Sequence, residues 1–90
     1  MAKPPPLALK KSDTLEKMVR NPQGDWTIKD VQKVCDEHTV ACEPPRGGGS
    51  HYKVWHPRVA EIQTIPSKRP IKTVYIRRFV QFIALVRRLP

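Results

Sequence analysis

The chain has 90 residues and carries 17 Lys+Arg against 8 Asp+Glu, a formal charge of +9 at neutral pH. That length suits one small domain, whose folding buries only about 60–65% of the surface of the extended chain and so excludes a large enclosed substrate cavity. No stretch approaches the roughly 18 consecutive apolar residues of a membrane span.

The run Lys3-Pro4-Pro5-Pro6 interrupts what would have to be the apolar core of a secretory leader. The expected location is therefore the cytoplasm, where Cys35 and Cys42 are reduced thiols rather than a disulfide. Charge is unevenly placed. Residues 1–12 hold three basic groups and no acidic one, residues 13–43 hold four basic and seven acidic, and residues 44–90 hold ten basic groups with Glu61 alone against them. A C-terminal half this basic points to a polyanionic partner, because Lys and Arg release the counterions condensed on phosphates.

Residues 1–12 read as a tail, with three prolines imposing polyproline II and Lys10-Lys11 keeping it solvated. Residues 13–25 read as a short extra helix and a turn. Asp13 caps the helix, Glu16 stands at the capping-box distance, and Leu15, Met18 and Val19 form the apolar stripe. Asn21-Pro22 ends it in the turn Pro22-Gln23-Gly24-Asp25. A second helix follows Thr27, which makes a capping box with Asp30 in place of the usual Glu. Its apolar face is Ile28, Val31, Val34, Cys35 and His38, and Trp26 is placed to staple against Val31.

Val40 to Pro45, Ser50 to Trp55 and Ile62 to Ile65 read as three short strands bounded by prolines and by Gly47-Gly48-Gly49. Their short connections predict an antiparallel meander, since parallel pairs need long crossovers. Thr73 to Leu89 is a long helix whose apolar residues cover about two thirds of the circumference, interrupted by Arg78 and Arg87. Such a helix is either sandwiched within the fold or meets another chain, and the small domain favours the second.

Chemistry concentrates at Gly47-Gly48-Gly49-Ser50-His51-Tyr52-Lys53. Three glycines let backbone amides approach a phosphate closely, and equally serve as a hairpin connection. No Gly-Lys-Ser/Thr follows, so this is not a Walker A loop. In the strand that follows, His51, Lys53 and Trp55 point to one face, and Tyr52 and Val54 to the other. Neutral His51 can take the proton of a ribose 2′-hydroxyl, while Lys53, loop amides and nearby arginines stabilise charge on the phosphorane. His38 reads as a satisfied core histidine, and His56 as a loop residue or a second acid–base group. The cysteine spacing makes no zinc site, so neither a metal nor another cofactor is expected.

The run Gly48-Gly49-Ser50-His51-Tyr52-Lys53-Val54, followed by His56-Pro57, Ile65-Pro66 and Pro70-Ile71-Lys72, resembles the HicA toxin family over residues 26–88. These are the ribonuclease halves of HicA–HicB toxin–antitoxin modules. The resemblance implies an α+β domain over residues 26–90, α-β-β-β-α in order and similar to a double-stranded-RNA-binding domain, with a three-stranded antiparallel sheet and helices on one face. It implies that His51 is catalytic, that messenger RNA is cleaved without a metal, and that a HicB antitoxin neutralises the growth inhibition by covering the site. Oligomers are then expected mainly through the antitoxin complex. On this reading Arg46, Gly48, Gly49, Ser50, Lys53, Lys68, Arg69 and Lys72 meet the nucleic acid, and His51, Tyr75, Arg78 and Phe82 meet the antitoxin. The alternative is a non-catalytic double-stranded-RNA-binding module, held by phosphate and 2′-hydroxyl contacts. A third reading is a structural protein bound to an acidic one.

Overall fold

The computed structural model describes residues 13–90, so the tail expected over residues 1–12 lies outside the described residues. The described elements are α1 (Asp13–Arg20), α2 (Ile28–Glu37), β1 (Ala41–Glu43), β2 (His51–His56), β3 (Val59–Pro66) and α3 (Thr73–Arg87). This is an α+β arrangement around an open antiparallel sheet of order β1-β2-β3. Among the described residues no helix is long and apolar enough to cross a membrane.

Helix α2 starts where the capping chemistry places it. Thr27 is extended, its hydroxyl accepts from Asp30 N at 3.4 Å, and Asp30 Oδ2 accepts from Thr27 N at 2.9 Å. The reciprocal bonds satisfy two of the amides that a helix start otherwise leaves unpaired. The helix ends in a Schellman motif, in which Val40 N donates to Cys35 O at 2.9 Å and Thr39 N to Asp36 O at 3.4 Å. Thr39 occupies the left-handed position of that motif, at φ 58°, which is usually left to glycine. The reversal turns the chain straight into β1.

Alternation divides the sheet into two faces. Cys42, Val54 and Ile65 point toward the helices; Val54 and Ile65 are buried, and Cys42 packs on the core. Glu43, His51, Lys53 and Thr64 point the other way and are exposed. Strand β3 begins at Val59, not Ile62, because the Pro57-Arg58 turn lets Val59 pair with His56, and Val59 then packs on the core. A register shift between Val54 and His56 accommodates the longer β3.

The apolar excess of α3 is spent inside the fold. Ile76, Phe79, Phe82 and Ile83 are buried, and α3 packs against β3 on one side and α1 on the other. Leu15 and Met18 of α1 belong to the same core. The expectation that this helix keeps most of its excess apolar face for another chain is thereby corrected: the short extra helix is its cover. Val74 and Leu85, at 47% and 41% exposure, are the large apolar α3 side chains left at the surface. Phe82, expected to meet an antitoxin, is 1% exposed and is a core residue.

The segment before α2 is tied to the segment before α3. Trp26 Nε1 donates to Asn21 O at 2.8 Å, Trp26 O accepts from Ile71 N at 2.9 Å, and Arg69 forks onto Asp25 at 2.9 and 3.3 Å.

Candidate active site

The β1–β2 connection is a hairpin, the second of the two roles open to the glycines. Gly47 and Gly48 have φ of 56° and 81°, and a Cβ at either would meet nothing within 4 Å. Backbone conformation, not crowding, is what asks for glycine there. The turn closes through Gly49 N donating to Arg46 O at 3.2 Å. Its exit is pinned to the end of β3, where Ser67 N donates to Ser50 O at 2.7 Å.

His51 opens β2 opposite Pro66, exposed on the uncovered face of the sheet. Its Nδ1 lies 3.3 Å from Ser50 Oγ. With Nδ1–H donating to the hydroxyl, Nε2 carries the lone pair that a general base requires; the opposite tautomer presents Nε2–H as an acid. The ring is thus able to serve both halves of a proton-transfer cycle.

His51 borders an open concavity of about 620 Å³ that runs along β3 beside α3. Ile62, Gln63 and Thr64 of β3 and Tyr75, Arg78 and Gln81 of α3 line it. Glu61, the single carboxylate of residues 44–90, also lines it. Tyr75 is half-buried and packs on the core, whereas Arg78, one helical turn along, is exposed. A cation and a phenol therefore share one recess with the imidazole, next to a loop of exposed backbone.

The other expected site residues distribute unevenly. Lys53 shares the face of His51 but sits across from Glu43 and Thr64, outside the concavity. Arg46, Gly48 and Gly49 are exposed in the hairpin loop. Lys68 and Lys72 are exposed between β3 and α3, and the carbonyl of Lys72 accepts from Tyr75 N and Ile76 N at 3.0 and 3.3 Å to start the helix. Arg69 already grips Asp25, and that hydrogen-bonded guanidinium holds the Asp25 carboxyl below its ordinary range. Its first role is to join two chain segments.

The remaining histidines stand apart from this cluster. His38 caps the end of α2 with Nδ1 2.8 Å from Val34 O, satisfied as expected but half-buried rather than enclosed in the core. His56 lies at the far end of β2, about 16 Å along the strand from His51, and its Nδ1 accepts from Arg58 N at 3.0 Å in the hairpin turn. That distance removes it as a direct acid–base partner of His51. Among the described residues no three His, Cys, Asp or Glu side chains gather as a metal site requires.

Glu61, Thr64 and Gln81 were not among the residues expected at the site. Gln81 follows Arg78 by three positions on one helical strip, a signal present in the spacing. Thr64 becomes a neighbour only through the β2–β3 register. Searches of family models, curated proteins and solved structures find no match to this chain.

Proposed function

We propose that the protein is an endoribonuclease that cleaves RNA by attack of a ribose 2′-hydroxyl on the adjacent phosphodiester, with His51 as the base. The observation that supports this most is the convergence of exposed His51 and Arg78 and half-buried Tyr75 on one open concavity. In the first step Nε2 of His51 removes the 2′-hydroxyl proton. Arg78 offers its guanidinium to the non-bridging oxygens, whose charge rises as the phosphorane forms. The exposed backbone of Gly48 and the ammonium of Lys53 add positive potential on the approach to that position. The imidazolium then returns its proton to the departing 5′-oxygen, so the side chain ends the step as it began. Each such contribution is of the size usual for positioned proton transfer, about 10²–10⁴-fold.

The same arrangement fits a toxin of the HicA type that acts on messenger RNA and arrests growth. An acidic antitoxin, HicB-like, that engages Tyr75 and Arg78 would shut the concavity over His51. Purified full-length protein is expected to cleave single-stranded RNA, and His51→Ala to lose cleavage while keeping its thermal transition. RNA that is bound but left intact by the wild-type chain would favour the non-catalytic RNA-binding module instead. Equal cleavage by His51→Ala would overturn the assignment.

A further inference from the structure

Trp55 is an indole that the core does not use. It is half-buried, yet it stands outside the core cluster, against which Trp26 packs. It points to the face of the sheet that no helix among the described residues covers, alongside His51 and Lys53. Directly opposite on β1 is Ala41, with one methyl group, and the register shift leaves Trp55 without a paired residue on β3. Its Nε1–H donates to Glu43 Oε2 at 2.9 Å, which fixes one edge of the ring. An aromatic ring held by its edge loses little further freedom when a flat ligand settles on its face.

The order along this face matters. His51, Lys53 and Trp55 follow one another in two-residue steps of about 6.6 Å each. An acid–base group, a cation and an anchored aromatic ring thus lie in a line on an uncovered surface. A strand of nucleic acid presents a complementary series: a scissile phosphodiester, a neighbouring phosphate and a base with a π-face. We propose that Trp55 is a nucleobase subsite, on which a base of single-stranded RNA flanking the cleaved bond stacks while Lys53 holds the phosphate between. The inference rests on reading His51 as the catalytic group of a ribonuclease. Ten basic groups against one carboxylate in residues 44–90 favour a polyanion over a neutral partner. The base, in turn, explains an indole where further charge alone would serve an acidic peptide.

The test uses the full chain, a short 2′-O-methyl oligoribonucleotide that resists cleavage, and a cleavable RNA of the same sequence. Binding is expected to quench tryptophan emission in the wild-type protein, and the quench to be lost in Trp55→Phe, where Trp26 alone reports. Trp55→Ala is expected to weaken binding about ten-fold, the effect of removing one base–aromatic stack. It should raise KM for cleavage by a similar factor with kcat nearly unchanged, and Trp55→Phe should restore most of the loss. Wild-type KM and affinity in Trp55→Ala, in a protein that still cleaves RNA, would overturn the subsite and leave the ribonuclease reading standing. A wild-type chain that neither binds nor cleaves RNA would overturn both. Equal quenching of Trp55 by polyglutamate would assign the surface to an acidic protein and overturn the nucleobase subsite.

Discussion

Replacing Met18 by alanine tests whether α1 is an integral layer of the fold. Met18 is 0% exposed and lies in the core that α1 shares with α3, while Val19, its neighbour on the same helix, is 56% exposed. Truncating a fully buried methionine removes its transfer energy and leaves a cavity, about 2–5 kcal/mol in total. A 90-residue domain has a stability of roughly 5–13 kcal/mol at about 0.05–0.15 kcal/mol per residue. The substitution therefore removes a large part of it. Val19→Ala, at the surface, should change stability by no more than about 0.5 kcal/mol. Urea unfolding followed by tryptophan fluorescence reads the difference directly. At a slope of about 1.5 kcal/mol per molar, a loss of about 3 kcal/mol moves the midpoint down by about 2 M. Identical midpoints for Met18→Ala and Val19→Ala would refute the reasoning, because α1 would then be an appendage and the apolar face of α3 would need another cover.

Three further outcomes follow from local geometry. Thr39→Gly should stabilise the protein, because relief of a left-handed threonine is worth about 1–2 kcal/mol and the added freedom of glycine returns about 0.5–1; the thermal midpoint should rise by a few degrees, and a fall would contradict the strain. Cys42 should be alkylated well before Cys35, since the S–H of buried Cys35 hydrogen-bonds Cys42, lowering the Cys42 thiol and raising that of Cys35, which burial raises further; mass spectrometry after brief iodoacetamide treatment identifies the modified residue, and equal labelling of the two would contradict the pairing. The Asp25 carboxyl should titrate below the ordinary range, and Arg69→Ala should bring it back, as read by NMR titration. Because its folded pKa is depressed, its contribution to stability is present above the unfolded pKa and fades as pH falls through the folded one; an Asp25 midpoint unchanged by Arg69→Ala would contradict this.

Much of this arrangement is written locally in the sequence. Thr27 and Asp30 form the capping box that their spacing announces, and the alternation along β2 places His51, Lys53 and Trp55 on one face. Tertiary neighbours are written less plainly. Periodicity measures how much apolar surface α3 owns but not what covers it, so the partner of Phe82 turned out to lie within the chain. Ala60 and Glu61 have little strand preference of their own, and the pairing of Val59 and Gln63 on either side of them carries β3 through. Arg69 and Asp25 are 44 residues apart, a separation at which no local pattern signals an ion pair. The hairpin loop and His51 are legible as a unit, whereas the meeting of His51 with Tyr75 and Arg78 depends on how α3 lies along β3.

The chemistry assigned to His51 is tested most directly by the ends of the RNA fragments made by the purified full-length chain in excess chelator. Attack by the 2′-hydroxyl leaves a 2′,3′-cyclic phosphate on one fragment and a 5′-hydroxyl on the other. The account predicts those ends from the wild-type protein in the presence of chelator, and no fragments from a folded His51→Ala protein. Fragments ending in 3′-hydroxyl and 5′-phosphate, or cleavage that survives the loss of His51, would contradict it.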